Sequence, residues 1–315
     1  MSGTGDNPII GGPATTGNGT IVGADTAATD AGNSTAKGSS NTTTSGSTGT
    51  TTTTTTGNNN GNTIIINALA LPPDARLDRR VPKRLLLEQG APTAADRRYL
   101  QDGVEEMVWV AALKPTNTGV PAFRDAVREY LEIAVLSVEL RPAAKPPRLV
   151  ELIHRTVPYP VVLVVAHGDT VSLSLAHKRW SQGEKGKVVI EDVRRTAPFQ
   201  PDAPTAEDAA FLASLPLASQ PSRDLYSVYQ GWLDRVAALE AAQITGMFTP
   251  PKTADRAAAV RDGLEVHSQL ERDLTVLRAR AKKERQINRR VELNLEIKRL
   301  EAELVAISRS LTGEI

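Results

Sequence analysis

The sequence predicts a small mixed-sheet domain of the α/β or α+β class with flanking helices, followed by a long helical arm. Two segments, 128–141 and 157–166, are rich in Val, Ile and Leu on both alternating faces, which is typical of strands buried on both sides. Between these two segments, residues 149–155 have apolar side chains at helical spacing. The third feature is the stretch 254–311, which contains no proline and one glycine and therefore predicts continuous helix.

Residues 1–62 differ from the rest of the chain in composition. They hold eighteen Thr and thirteen Gly, including seven consecutive Thr at 50–56. Such a segment buries too little apolar surface to offset the conformational entropy lost on folding. We therefore predict a disordered, low-complexity leader over 1–62.

The overall composition limits the chemistry. The 315-residue chain has a net charge of +1 and no cysteine, so disulfides, thiolate metal sites and a cysteine nucleophile are excluded. The longest strongly apolar run, 160–166, is too short to cross a bilayer, and the N-terminus lacks the basic-then-apolar pattern of a secretory signal. We expect a cytoplasmic protein with no membrane partner.

The core domain is predicted over 63–197, and its elements follow from local signals. Ile64–Ile66 has the composition of a short strand or of an anchoring segment. Thr93 is a candidate N-cap for a helix whose apolar stripe continues to Ala111 and which Pro115 ends. The later elements are a helix at 149–155, a tight turn at 167–169 that opens a hairpin, and a strand at 187–193.

A connector and an arm follow the core domain. Five prolines between Pro198 and Pro221 mark the connector, 198–222, in which Thr205 is placed to cap a short helix. The arm, 223–315, starts with a helical pattern at 225–242. Its second part would form a helix of up to about 58 residues, far longer than the roughly 8–20 residues of a typical globular helix.

A heptad-like apolar seam runs along the end of the arm. Its residues, spaced three, four, three and four apart, are Ile297, Leu300, Leu304, Ile307 and Leu311. An earlier seam consists of Leu270, Leu274, Leu277 and Ala281. The two do not join smoothly, which indicates a register break around 284–294. Two partners fit the seam: the 225–242 helix of the same chain, or a coiled coil with a second copy or another protein.

Basic residues cluster beside the earlier seam, with seven Lys and Arg against one Glu within 278–290. Those that share one face of a continuous helix are Arg278, Lys282, Arg285 and Arg289. Such a stripe can track phosphates or face the acidic side of a partner helix. We favour the partner, because no aromatic residue is interleaved for base stacking. Asn288 and Asn294, close to the register break, are candidate register-fixing or partner-binding residues.

Restriction-type nucleases offer a second functional interpretation. These enzymes place an acidic residue and then Glu-x-Lys on adjacent strands, so that two carboxylates hold a divalent metal beside a lysine. Here Glu132 and Glu139 are the candidate ligands for Mg²⁺, with Lys178 as a further catalytic candidate. Arg141 stands where the pattern has its lysine, and an arginine stays protonated. Residues seven apart also point to opposite faces of a straight strand, so the nuclease is kept as an alternative.

Other catalytic motifs are missing from the sequence. The four histidines have no short metal-ligand spacing, and there is no Gly-rich phosphate loop, dinucleotide fingerprint or Gly-x-Ser-x-Gly elbow. We therefore expect no cofactor and no metal site outside the nuclease interpretation.

Five segments in a fixed order resemble a known family. They are VPKRLLLEQ, VEEMVWVAALKPTNTG, LEIAVLSVEL, LVELIHRTVPYPVVLVV and KKERQINRRVELNLEIKRLEAEL. Together they resemble the bacterial and archaeal domain-of-unknown-function family numbered 4391, over roughly residues 70–312. That family has no established activity. Its members look like neighbours of helicases and DNA methyltransferases in restriction-like and phage-defence loci.

The resemblance also singles out individual positions. Those that match the family's distinctive points in the core domain are Lys83, Trp109, Thr116, Asn117 and Glu132, with Pro82, Pro158, Lys178, Asn288 and Asn294 as further matches. A carboxylate buried without a partner is costly. Because Glu132 lies in a predicted buried strand, we expect Lys83 or Lys178 to pair with it.

The leading interpretation is an accessory or adaptor subunit of a DNA-directed, restriction-like or anti-phage defence system. It would act through protein–protein contacts rather than catalysis, with a nearby-encoded helicase or DNA methyltransferase, or a second copy of the chain, as its partner. The alternatives are a metal-dependent nuclease of restriction-like fold and a module that binds DNA directly through the basic stripe.

Overall fold

A six-stranded mixed sheet forms the centre of the protein. The computed structural model describes residues 61–90, 93–183 and 188–312. The strands are β1 (Arg76–Arg80), β2 (Val104–Leu113), β3 (Phe123–Arg124), β4 (Glu129–Tyr130), β5 (Ile133–Leu140), β6 (Val161–His167), β7 (Thr170–Trp180) and β8 (Val188–Arg195). The sheet has the order β1-β2-β5-β6-β7-β8, and β3 pairs with β4 separately. Only β5 and β6 run parallel; the other neighbours in the sheet are antiparallel.

Helices cover both faces of the sheet. They are α1 (Asn62–Ala68), α2 (Lys83–Gly90), α3 (Ala94–Gly103), α4 (Pro115–Thr118), α5 (Pro146–Thr156), α6 (Ala206–Ser214), α7 (Leu225–Thr245), α8 (Ala254–Lys283) and α9 (Ile287–Thr312). The parallel pair β5–β6 needs a crossover, and α5 supplies it. The predicted fold class, a mixed sheet with flanking helices and a C-terminal helical part, is confirmed. Among the described residues no helix is long and apolar enough to span a membrane.

The two central strands divide their side chains between two cores. In β5, Leu136 and Val138 lie in a core with α2, α3 and α5, whereas Val135 lies in a second core with α1, α6 and α7. In β6, Leu163 joins the first core and Val164 the second. Successive strand residues point to opposite faces, so both strands must be apolar throughout. This layered arrangement confirms the prediction that both strands are buried on both sides.

Helix α7 is buried around most of its circumference. The Trp232 side chain is fully buried in the second core, and its Nε1 donates to the Leu215 carbonyl at 2.9 Å. The Tyr229 hydroxyl lies at hydrogen-bond distance from the backbone of both β6 and β7, donating to Val161 O at 2.8 Å and accepting from Ala176 N at 2.8 Å. Residues from 205 to 245 therefore belong to the same compact unit as the sheet.

The second part of the predicted arm, α8 and α9, is a helical hairpin, and the prediction of one helix of about 58 residues is wrong. We call this hairpin alone, residues 254–312 without α7, the arm. Helix α8 ends at Lys283, Glu284 takes an extended backbone conformation, and α9 starts at Ile287. The chain folds back because each half carries an apolar seam that a single straight helix would leave exposed. In the hairpin, Leu274 and Leu277 of α8 pack with Ile297 of α9.

The seam of α9 has its partner within the chain. Leu300 and Leu304 pack against the cluster that α8 forms with Ile297. Only the base of the hairpin touches α7, where Leu311 lies with Ala237 and Ala241. The main partner is therefore α8, which neither predicted alternative named.

Of four local predictions, one is wrong, one is wrong in part and two are confirmed. Ile64–Ile66 lies in helix α1 rather than in a strand, but it anchors the chain, because Ile65 and Leu69, four residues apart, both enter the second core. The helix that Thr93 caps ends at Gly103, and residues 104–113 form β2, since their backbone pairs with both β1 and β5. Thr93 and Thr205 are N-caps as predicted. The predicted leader lies outside the described residues apart from its last two.

We predict that Leu277→Ala lowers the free energy of unfolding by about 2 kcal/mol, because it removes a buried side chain from the hairpin seam. Leu277 is 7% exposed, whereas Leu295, on the outer side of α9, is 64% exposed. The matched control Leu295→Ala should stay within about 0.5 kcal/mol of the wild type. Urea denaturation followed by circular dichroism measures both, and equal losses would contradict the hairpin.

Candidate functional site

The two candidate carboxylates of the nuclease interpretation lie apart. Glu132 precedes β5 and Glu139 lies near its far end, so a strand rise of about 3.3 Å per residue separates them by roughly 23 Å. Arg141, at the position of the nuclease lysine, is ion-paired with Glu105. Within the described ranges no group of three or more His, Asp or Glu side chains is placed to hold a metal ion. The geometry offers no support for a two-carboxylate metal centre.

Glu132 has a different partner from the one expected. Its carboxylate pairs with the Lys114 ammonium at 3.1 Å, so the expectation of Lys83 or Lys178 is wrong. Lys178 is buried, and its Nζ donates to the backbone carbonyls of His154, at 2.8 Å, and Val157. Burial lowers the pKa of Lys178 to about 7. This lysine fastens the end of α5 to β7.

Most of the residues that match the family in the core domain gather near the β1 edge of the sheet, whereas Pro158 and Lys178 lie elsewhere, beside the end of β7. Pro82, Trp109 and Glu132 line one cleft of about 410 Å³ beside β1. Asn117 supports it, because its amide donates to Ala112 O at 2.9 Å and its side-chain oxygen accepts from Lys114 N at 2.8 Å. The Thr116 side chain is exposed on α4, and Lys83 begins α2 next to the cleft. These positions build and brace one surface feature and form no catalytic group.

A polar network that the sequence did not reveal connects the sheet to the base of the arm. Tyr130 hydrogen-bonds His177 Nδ1, His177 Nε2 donates to Gln230 Oε1 at 2.8 Å, and Gln230 Nε2 donates to Asp234 Oδ1 at 2.8 Å. Arg261 of α8 completes the chain at Asp234. His177, Gln230 and Arg261 line a cavity of about 750 Å³. Burial, with Arg128 and Arg261 nearby, lowers the pKa of His177 to about 4, so the ring is neutral at pH 7.

The basic stripe becomes a cluster at the tip of the hairpin. Because the chain turns at 284–286, Arg278 and Lys282 lie on α8 whereas Arg285 and Arg289 lie beyond its end. Arg278 pairs with Glu301 across the hairpin at 2.7 Å. The tip, residues 278–290, still carries seven cations against one carboxylate. It is therefore a compact positive surface rather than a track along one helix.

An exposed apolar stripe runs from the tip along the outer side of α9. This outer stripe consists of Ile287, Val291 and Leu295, all exposed, at spacings of four. At about 100° per residue, it lies opposite the seam that packs on α8, and Asn288 and Asn294 flank it. Neither asparagine is in the seam, so they do not set its register. The i, i+4, i+8 spacing of these three residues is visible in the sequence, but it lies on the same helix as the longer apolar seam from Ile297 to Leu311, which is the stronger pattern.

Comparison with known proteins places the chain beside one family. Residues 69–304, more than half of the chain, match the family described as Domain of unknown function (DUF4391). No curated protein and no solved structure matches the chain.

We predict that the free energy of unfolding falls as the pH drops from about 6.5 towards 4, partly through His177. The folded pKa lies below the ordinary value of about 6.5, so in this window the unfolded chain takes up a proton that the folded protein does not. Above pH 6.5 both states are neutral and this contribution is fully present. Replacing the ring removes that part of the dependence.

Urea denaturation of the wild type and of His177→Gln at pH 7 and pH 5 tests this. The wild type should lose about 2 kcal/mol more than the variant between the two pH values. Carboxylates and His154 contribute equally to both proteins, so the difference isolates His177. Equal losses would show that the ring is protonated in the folded state.

Proposed function

The chain belongs to the DUF4391 family, and we propose from its arm that it is an adaptor, in which the outer stripe docks an acidic amphipathic helix of a partner protein. The observation that carries the proposal is the outer stripe itself. Three large apolar side chains are left in solvent at helical spacing, next to a strongly positive tip.

The outer stripe has the form of a helix-docking surface. Residues spaced by four lie on one side of a helix, and eight residues span about 12 Å along its axis. Amphipathic helices bind one another through anchors at this spacing. Since the seam of α9 is already covered by α8, a partner would complete the arm from its outer side.

In the part of the chain that the structure describes, the apolar contacts between the arm and α7 lie at the base of the arm. Val260 and Leu264 of α8 pack with Leu311 and with Ala237 and Ala241 of α7. Farther out, the cluster around Leu274 and Ile297 involves only the two arm helices. A rigid base and an uncovered distal part allow the arm to present its tip without disturbing the sheet.

The charge of the tip selects the partner. An interface is favoured when a positive surface meets a negative one, and like charges facing each other oppose binding. A second copy would bring an equally positive tip to the contact, so it fits less well than an acidic helix. Attraction between opposite charges also speeds association.

The biological setting that we propose rests on the family resemblance alone. There the partner is a helicase or DNA methyltransferase encoded beside this chain in a restriction-like or phage-defence locus. The nuclease alternative loses its structural support, because its candidate ligands lie apart. Direct DNA binding by the tip stays a second candidate, since seven cations also attract phosphates.

A labelled peptide tests the docking proposal. The probe is an acidic helical peptide of about 20 residues with Leu at i, i+4 and i+8 and Glu on both flanks, titrated with the full chain by fluorescence anisotropy. We expect Val291→Ser combined with Leu295→Ser to weaken binding at least about tenfold, because the apolar anchors are lost. The matched control, Val266→Ser with Val276→Ser, changes two exposed valines of α8 and should change the affinity less than about twofold.

Three outcomes would overturn the proposal. The first is no binding of the acidic peptide, or equal binding of a peptide with Lys in place of Glu. The second is tighter binding to a 20-base-pair DNA duplex than to the peptide, with losses in Arg285→Ala and Arg289→Ala, which would assign the tip to DNA. The third is self-association of the chain that the double serine variant abolishes, seen by light scattering.

A further inference from the structure

A second surface, far along the chain from the arm, has the character of a small-ligand site. It is a cleft of about 290 Å³ between the loop before β6, the end of β7 and the start of β8. We call it the aromatic cleft; among its lining residues are Arg128, Leu131, Tyr159, Lys178, Arg179 and Trp180. We propose that the aromatic cleft binds a nucleobase together with its adjoining phosphate.

Two aromatic rings form the walls that would stack on the base. Tyr159 is 42% exposed and Trp180 is 36% exposed. In the described part of the chain neither ring packs on another aromatic ring; the ring contacts involve other residues. Flat aromatic faces stack on any base, so such a site tolerates all four. Trp232, by contrast, is fully buried in the core, where its role is structural.

The backbone that carries each wall is held in place by contacts within the protein. Tyr159 stands between Pro158 and Pro160, whose rings restrict the backbone. The Lys178 side chain ties the Val157 carbonyl, at the start of this loop, to β7. On the other wall, Trp180 N donates to Val127 O at 2.7 Å. A pre-organised backbone loses little entropy on binding, which favours a specific site over an adaptable surface.

The charge around the aromatic cleft suits a phosphate. Among the described residues, Arg128 and Arg179 share one carboxylate, that of Glu191, at 3.3 and 3.8 Å. Glu129, which also lines the cleft, is already paired with Arg124. Counted over the described residues, the lining therefore has an excess of positive charge, and the Arg179 guanidinium can bind two phosphate oxygens at once. Its volume admits one nucleotide unit and excludes a duplex.

The proposal is independent of the docking function, because it uses no residue of the arm. The ligand can come from a free nucleotide or from a single-stranded nucleic acid, which share the base and the phosphate. Two probes separate these sources: adenosine monophosphate, and fluorescein-labelled hexanucleotides of deoxyadenosine and of thymidine. Binding is measured on the full chain by anisotropy, with the mononucleotide added as a competitor.

We expect Tyr159→Leu and Trp180→Leu each to weaken binding about tenfold, since each removes one stacking face. Arg179→Met should weaken binding and flatten its dependence on salt, since one phosphate contact is lost. The matched controls are Tyr99→Leu, an exposed tyrosine (38%) on α3, and Arg97→Met on the same helix; both should bind as the wild type does. Circular dichroism confirms that each variant is folded.

Each result decides between alternatives. If adenosine monophosphate binds as tightly as the hexanucleotides, the ligand is a free nucleotide. If the hexanucleotides bind much more tightly, the ligand is a single-stranded nucleic acid. Both results support the site. No binding of either probe, or unchanged binding in all three cleft variants, overturns it. Loss of hexanucleotide binding in Arg285→Ala with Arg289→Ala but not in the cleft variants would move the nucleic-acid contact to the arm. Binding of an aromatic acidic peptide in place of both nucleotides would reassign the cleft to a protein ligand.

Discussion

The burial of α7 on opposite sides is the constraint on which the rest of this structure depends. One side of the helix places Tyr229 and Trp232 against the sheet, and another places Ala237 and Ala241 against the arm. A helix with apolar residues on two sides needs a partner on each side. The sheet covers one side of α7, and the base of the hairpin covers the other. The small alanine side chains let the arm approach closely.

Polar side chains at this junction are joined by hydrogen bonds and an ion pair. The Tyr229 hydroxyl joins two strands, and the network from Tyr130 through His177 and Gln230 reaches Asp234 and so Arg261 of the arm. In a low-dielectric interior such hydrogen bonds are strong and an unpaired member would be costly. The network therefore fixes how the base of the arm sits on the sheet, while the tip beyond it stays free. A fixed base with a free tip is what a docking arm requires.

The outer stripe and the aromatic cleft share one physical signature. Each leaves large apolar side chains in water beside an excess of positive charge, Ile287 and Leu295 near the tip, and Tyr159 and Trp180 near Arg179. Trp232, by contrast, is completely buried in the same protein. The two surfaces differ in shape: the stripe is convex and suits a helix, whereas the cleft is concave and suits a small planar ligand. Their proposed ligands follow from that difference.

The sequence by itself determined the fold class, the buried pair β5–β6, the N-caps Thr93 and Thr205 and both seams of the arm, because these depend on periodicity and on contacts within a few residues. Only the tertiary structure decided the rest. No glycine or proline marks the turn at 284–286, so the fold-back came from two seams burying each other across the chain. Residues 104–113 fit a helix and a strand, and pairing with β1 and β5 selected the strand. Three features bring together residues that no local pattern connects: the Lys114–Glu132 pair, the tip cluster and the aromatic cleft. They exist only once the sheet and the hairpin have formed.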